Sequence, residues 1–82
     1  MKTTREILID AICESLGILP GGIADNQTLT DLGADSLDMV EITMLVELAL
    51  NTTRQLDGAF DADSNPTVAQ IVVAIDAMMA VA

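Results

Sequence analysis

The sequence predicts an all-α fold, a four-helix bundle with three main helices, one short helix and a long first loop. Hydrophobic residues make up 51% of the chain, yet Phe60 is its only aromatic residue. The core must therefore consist of Leu, Ile, Val, Ala and Met side chains, which suits a compact helical bundle. Three segments also combine a helical spacing of apolar residues with capping residues. Because 82 residues lie near the lower limit for folding without disulfides or a metal, we predict one domain over residues 1–82.

The first helix is predicted from Thr3 to Leu16. Thr3 and Glu6 have the spacing of a capping box, and Gly17 can end the helix in a left-handed conformation. Acidic residues recur at every fourth position and form a solvated face. The opposite side is apolar and contains Leu8, Ile9, Ile12 and Leu16. Cys13 is the only cysteine, so it cannot form an intramolecular disulfide. We interpret it as a small core or boundary residue, since nothing nearby would lower the pKa of its thiol.

A long connection runs from Gly17 to Ala34 and contains Pro20-Gly21-Gly22. A structureless loop of this length is uncommon in a compact domain. We therefore expect a packed Ω-like loop with a short turn of helix near Leu29 to Leu32. Its predicted apolar anchors are Ile18, Leu19, Ile23, Leu29 and Leu32.

The central helix is predicted to start at Asp35. The Asp35 carboxylate can accept hydrogen bonds from the first free backbone N–H groups, and its charge is favoured at the positive end of the helix dipole. Ser36 is then the first helical residue, with Asp38 as a capping-box partner in the place where Glu is commoner. A hydroxyl at this first position is not covered by a preceding turn. The Ser36 side chain should thus be reachable by another protein.

The central helix is apolar on two faces. At 100° per residue, one stripe contains Leu37, Val40, Met44 and Leu48, hereafter the docking stripe, and the other face contains Met39, Ile42, Val46, Ala49 and Leu50. A small domain can rarely bury both faces of one helix. Carboxylates border the docking stripe, and an apolar centre with a charged rim is normal interface anatomy. We therefore predict a partner-binding surface formed by Asp35, Leu37, Asp38, Val40, Glu41, Met44 and Glu47.

The remainder of the chain predicts one short and one long helix. Leu56 and Phe60 are four residues apart, which favours a short helix around Asp57 to Phe60. Thr67 and Gln70 form another capping box directly after Pro66, so the last helix should run to about Met79. The intervening Asp61-Ala62-Asp63-Ser64-Asn65 imitates the start of an EF-hand loop. However, Pro66 stands where an EF-hand loop has its turn glycine, and Val72 stands where the loop has its bidentate Glu. We therefore expect no metal site.

The charge balance excludes several classes of partner. Thirteen acidic residues against three basic ones give a net charge of −10. This argues against nucleic acid or an anionic membrane as a partner and favours proteins with basic surfaces. The N-terminus lacks the pattern of a secretory signal, and no uncharged apolar run reaches the ~18 residues of a membrane span. We expect a monomeric cytoplasmic protein without membrane insertion.

The segment Leu32-Gly33-Ala34-Asp35-Ser36-Leu37-Asp38, followed by Val40-Glu41, resembles the modification site of acyl carrier proteins. The resemblance is closest to the free-standing carriers of fatty acid synthesis. It implies that 4′-phosphopantetheine from coenzyme A is esterified to Ser36 and that its thiol carries acyl chains as thioesters. It also implies a long first loop and recognition through the helix after Ser36. The implied partners are a phosphopantetheinyl transferase and acyl-transferring and chain-elongating enzymes of fatty acid, lipid or polyketide biosynthesis.

The chain itself offers no catalytic arrangement. It contains no histidine, and the titratable groups near Ser36 are carboxylates, whose charge opposes formation of an alkoxide. We therefore interpret Ser36 as the substrate of a separate magnesium-dependent transferase and the protein as a carrier, not an enzyme.

Two alternatives to a general fatty acid carrier stay open. The segment from Asn51 to Asn65 lacks the dense acidic pattern of housekeeping carriers and contains Arg54, which favours a specialised carrier of a polyketide or nonribosomal pathway. The other alternative is an interaction module that keeps the fold and the acidic helix but is never modified.

Overall fold

Three α-helices form the framework of the computed structural model, which describes residues 2–60 and 64–80. They are α1 (Thr4–Leu16), α2 (Ser36–Ala49) and α3 (Val68–Ala80). Two short 3₁₀ helices lie between them, η1 (Pro20–Gly22) and η2 (Asp57–Phe60). The all-α prediction is confirmed, and the short helix expected around Asp57 to Phe60 is η2. None of the helices formed by the described residues has the length and hydrophobicity that a membrane span requires.

The helix termini are set by the capping residues that the sequence indicated. At the start of α1, the Thr3 side chain accepts a hydrogen bond from the Glu6 backbone N–H, and the Glu6 carboxylate accepts one from the Thr3 N–H. The helix ends at Gly17, where φ is 70° and the N–H donates to the Cys13 carbonyl at 2.8 Å. A second reciprocal box of Thr67 and Gln70 opens α3.

The core lies between the three helices and η2. Helix α1 packs against both α2 and α3, and η2 packs against the same two helices. The largest fully buried side chains of the core are Leu8, Ile12, Ile42, Val46, Leu56, Val68, Ile71 and Ile75. Leu56 and Phe60 are both buried, so they pin the segment before α3 to the core as expected.

Cys13 is half-buried on α1. Burial raises the pKa of its thiol, and the nearby carboxylate of Asp10 raises it further. A thiol whose pKa is raised is a poor nucleophile at neutral pH. The structure therefore agrees with the interpretation of Cys13 as a boundary residue.

The first loop is packed, but one predicted anchor is wrong. Ile23 and Leu29 are buried and Ile18 and Leu32 half-buried, whereas Leu19 is 80% exposed. Leu19 begins the tight turn of η1, its carbonyl accepting a hydrogen bond from the Gly22 N–H, and its side chain is left on the outer side. The short turn of helix expected near Leu29 to Leu32 is present as hydrogen-bonded turns over residues 29–33, in which the Leu32 N–H donates to the Thr28 carbonyl at 3.2 Å.

The same loop caps the start of α3. The N–H groups of Val68 and Ala69 donate to the carbonyls of Gln27 and Asp25, at 2.8 and 3.0 Å. An isolated antiparallel bridge joins Thr28 to Thr67. These bonds satisfy backbone donors that a helix start leaves free, and they hold the loop in place ahead of α2.

No metal site is found in the described part of the chain, where no three ligand-type side chains are grouped suitably. The EF-hand-like segment cannot be judged as a whole, because its residues 61–63 lie outside the described residues.

Candidate functional site

A hydrogen-bonded turn delivers the chain onto α2. Buried Leu29 anchors this turn, and its carbonyl accepts a hydrogen bond from the Ala34 N–H at 3.0 Å. Gly33 lies between them with φ of 94°, a conformation that costs glycine little and other residues much more. The turn therefore fixes the direction from which the chain enters the helix, and it depends on Gly33.

We expect Gly33→Ala to lower the stability by about 1–2 kcal/mol because of strain at positive φ. This corresponds to a fall of roughly 4–16 °C in the melting temperature for a domain of this size, measurable by circular dichroism. Gly21→Ala is the matched control, since Gly21 is outside the set of positive-φ glycines and its added Cβ would meet nothing within 4 Å. Equal melting temperatures for the two variants would contradict this role of Gly33.

A capping box made of two aspartates holds the start of α2. The Asp38 N–H donates to Asp35 Oδ1 at 2.8 Å, and the Asp35 N–H donates to Asp38 Oδ2 at 3.1 Å. The predicted start of the helix is thus confirmed, with Asp replacing the commoner Glu at the third position. Ser36 is the first helical residue and is exposed. Its hydroxyl is presented to solvent on a backbone that the two carboxylates fix.

The two faces of α2 differ in burial as the sequence predicted. The docking stripe is exposed, with exposed fractions of 75% for Leu37, 56% for Val40, 62% for Met44 and 78% for Leu48. On the opposite face, Ile42 and Val46 are fully buried. Ala49 was placed on the buried face but is exposed. It is the last residue of the helix, and it lines an open groove that α2 shares with Ile7 and Ala11 of α1. The docking stripe is therefore a large apolar surface exposed to solvent.

The acidic residues around the docking stripe fall into two groups. Glu41 is exposed on the surface of α2. Glu47 is half-buried, and its Oε2 accepts a hydrogen bond from the Leu56 N–H at 2.7 Å. Asp35 and Asp38 are both engaged in the capping box, although Asp35 remains exposed. The predicted rim is thus present, but three of its four carboxylates also support the local structure.

A cavity of about 390 Å³ opens beside Ser36. On one side it is bounded by residues of α2, namely Ser36, Met39, Val40, Thr43, Met44 and Glu47, and on the other by Gln55 and Phe60. The Thr43 hydroxyl donates to the Met39 carbonyl at 2.7 Å, so its polar atom is satisfied and its methyl group can face an apolar ligand. The cavity could therefore accept an aliphatic chain.

Sequence reasoning missed the cavity wall formed by Thr43, Gln55 and Phe60. Thr43 interrupts an otherwise apolar buried face, and this was the one local signal available. Gln55 and Phe60 come from a weakly periodic segment whose position depends on tertiary contacts.

A second groove, of about 730 Å³, follows the docking stripe itself. Val40, Met44 and Glu47 line both the groove and the cavity. The groove therefore borders the cavity along α2, and a molecule seated on the stripe would lie next to the cavity.

Each of the three cations of the chain is engaged by a group of the chain itself, and Lys2 lies near Leu48 at one end of the docking stripe. Lys2 pairs with Asp10, and this contact raises the pKa of the Lys2 ammonium group. Arg5 pairs with Asp25 at 2.7 Å, and Arg54 Nη1 donates to the Met78 carbonyl at 2.8 Å. Since α2 itself contains no Lys or Arg, its exposed face has a negative potential that favours a basic partner.

Comparisons with known proteins agree on one family. The profile described as "Phosphopantetheine attachment site" matches residues 6–75. An acyl carrier protein from Zymomonas mobilis subsp. mobilis is 42% identical over 48 residues, which cover 57% of this chain and 62% of that protein. The match thus spans less than two thirds of the relative's length. No solved structure matches the chain.

Proposed function

Because the chain belongs to the acyl carrier protein family, whose domain is a phosphopantetheine attachment site, we propose that it carries acyl groups on a 4′-phosphopantetheine arm at Ser36. When bound, the arm supplies a thiol that holds the acyl group as a thioester. The protein then presents this group to partner enzymes of fatty acid, lipid or polyketide biosynthesis. We propose that residues 1–82 act as one carrier domain without a catalytic activity of their own.

The position of Ser36 carries this proposal. Its exposed side chain lies at the first position of a capped helix and beside an apolar cavity. The positive end of the helix dipole favours the negative charge of a phosphodiester at this point. The residues present therefore fit the arm, and the adjacent cavity between α2 and the segment around η2 fits an acyl chain.

The chain's own residues provide positioning only. Attachment requires the Ser36 hydroxyl to lose its proton, and no histidine exists in the sequence to accept it. The Asp35 and Asp38 carboxylates are engaged in the capping box, and negative charge beside Ser36 opposes formation of an alkoxide. The base and the stabilisation of the leaving group must therefore come from a magnesium-containing transferase. Met39 and Phe60 would contact the aliphatic part of a bound acyl chain in the cavity.

The docking stripe and Glu41 form the proposed surface for partners. Exposed apolar side chains surrounded by acids suit an enzyme with an apolar patch and a basic rim. Complementary charges mainly accelerate association, and salt weakens them.

We expect Glu41→Lys to lower kcat/KM for loading by a phosphopantetheinyl transferase about three- to tenfold at low salt, because it reverses one charge in the encounter surface. The difference should nearly vanish at about 0.5 M salt, where screening is strong. Glu14→Lys makes the same charge change at an exposed position of α1 and is the control. If both variants lose the same activity, net charge and not the surface of α2 guides the association.

The proposed function is tested by incubating the wild-type protein with coenzyme A, magnesium and a broad-specificity phosphopantetheinyl transferase. Intact-protein mass spectrometry should show one added arm per chain, and the new thiol should then accept an acyl group that hydroxylamine removes. A folded protein that stays unmodified would instead indicate an interaction module that only resembles the carriers.

A further inference from the structure

Glu47 differs from the other acids of the predicted partner surface because it binds a distant part of its own chain. Its Oε2 accepts the Leu56 N–H at 2.7 Å, and its backbone carbonyl accepts the Thr52 N–H at 3.2 Å. One residue of α2 thus holds both ends of the segment 52–56. The side chain is half-buried, which strengthens a charge-assisted hydrogen bond compared with one in water.

The segment that Glu47 holds carries one wall of the cavity beside Ser36. Gln55 precedes Leu56 and lines the cavity, and so does Phe60 at the end of η2. The Leu56 carbonyl accepts the Ala59 N–H at 3.0 Å, so the position of Leu56 also sets the position of η2. Glu47 itself lines the opposite wall. The bond between Glu47 and Leu56 therefore joins the two walls directly.

Two other contacts hold this wall, in addition to the packing of η2 against α2 and α3. The Leu56 side chain is fully buried, and Arg54 Nη1 donates to the Met78 carbonyl at the end of α3. Widening the cavity means moving Gln55 and Phe60 away from α2. That movement can keep the contact of Arg54 with α3 but must stretch or break the bond to Glu47.

We propose that Glu47 is a positioning residue whose carboxylate latches the segment 52–56 against α2 and so controls how readily an acyl chain enters or leaves the cavity. This inference rests on the proposed function for the acyl chain, but the latch itself exists in the unloaded protein. It reassigns Glu47 from partner contact to control of access. Glu41, fully on the surface, lacks this second role.

The latch is tested by using NMR to measure the rate of hydrogen exchange at the Leu56 amide in the unloaded protein. Glu47→Ala should speed this exchange about ten- to a hundredfold, as expected for loss of a hydrogen bond to a charged group. Glu47→Gln keeps a carbonyl acceptor and should give only a few-fold increase. Glu41→Ala and Glu41→Gln, which remove the same charge from an exposed site, should leave the exchange unchanged.

The Ile71 amide in the core helix α3 serves as an internal reference for global opening. Parallel increases at Leu56 and Ile71 in the Glu47 variants would mean general destabilisation and would overturn the latch. Unchanged exchange at Leu56 would overturn it as well. If Glu47→Ala does not fold, the comparison of Glu47→Gln with Glu41→Gln still decides the question.

Control of access is tested in the octanoyl-loaded form by the rate at which hydroxylamine cleaves the thioester. This rate should increase several-fold in Glu47→Ala, less in Glu47→Gln, and not in the Glu41 variants. Faster exchange at Leu56 with unchanged cleavage would show a merely structural bond and overturn the proposal. Absence of loading in the wild type would instead refute the proposed function, while the exchange of Leu56 would still decide the latch.

Discussion

Replacing Ser36 with alanine is expected to abolish attachment of the phosphopantetheine arm completely while leaving the fold intact. The hydroxyl would be the attacking group, and no neighbouring side chain can take its place in the same geometry. Ser36 is exposed and its backbone is held by Asp35 and Asp38. Alanine is also a good helix former, so circular dichroism should show an unchanged helix content and a melting temperature within a few degrees of the wild type.

Ser64→Ala is the matched control for this experiment. Ser64 is also exposed but lies shortly before α3, outside the turn and the helix that present Ser36. It should be loaded at the wild-type rate by the same transferase. Loading of Ser36→Ala to the wild-type extent would contradict the assignment of Ser36, and loss of loading in Ser64→Ala alone would place the modification elsewhere.

The second large effect is expected for Ile71→Ala in the core. Ile71 is fully buried on α3, in the cluster that contains Leu8, Ile12 and Ile42. Truncating such a side chain removes its transfer free energy and leaves a cavity, which together cost about 2–5 kcal/mol. For a domain of this size the melting temperature should fall by roughly 8–40 °C, a change that is measured directly by circular dichroism during thermal denaturation.

Val73→Ala tests whether this effect comes from burial. Val73 lies on the same helix but is 68% exposed, so its truncation should change stability by no more than about 0.5 kcal/mol. A loss of stability as large as that of Ile71→Ala would mean that the exposed side of α3 is packed against something in solution.

The features that sequence reasoning predicted well are those that depend on neighbouring residues. Each capping box joins two residues three positions apart, and the structure forms all of them: Thr3 with Glu6, Asp35 with Asp38, and Thr67 with Gln70. The division of α2 into an exposed stripe and a buried face follows in the same way from the helical period.

The features that could not be predicted from the sequence depend on contacts between distant segments. Leu19 was expected in the core because it is apolar, but the tight turn of η1 leaves it outside. The carboxylate of Glu47 was counted among surface charges, since nothing near it in sequence indicates the amide of Leu56 nine residues later. The wall formed by Gln55 and Phe60 was missed for the same reason, because a weakly periodic segment is placed by tertiary packing alone.

The arm attachment at Ser36 is tested most directly by peptide mapping with tandem mass spectrometry, after the wild-type protein is loaded from coenzyme A by the transferase. We predict a single modified peptide, with the phosphopantetheine on Ser36 and none on Ser15 or Ser64. A modification on another residue, or a folded protein that carries none, would contradict the assignment of Ser36 as the point at which this carrier holds its arm.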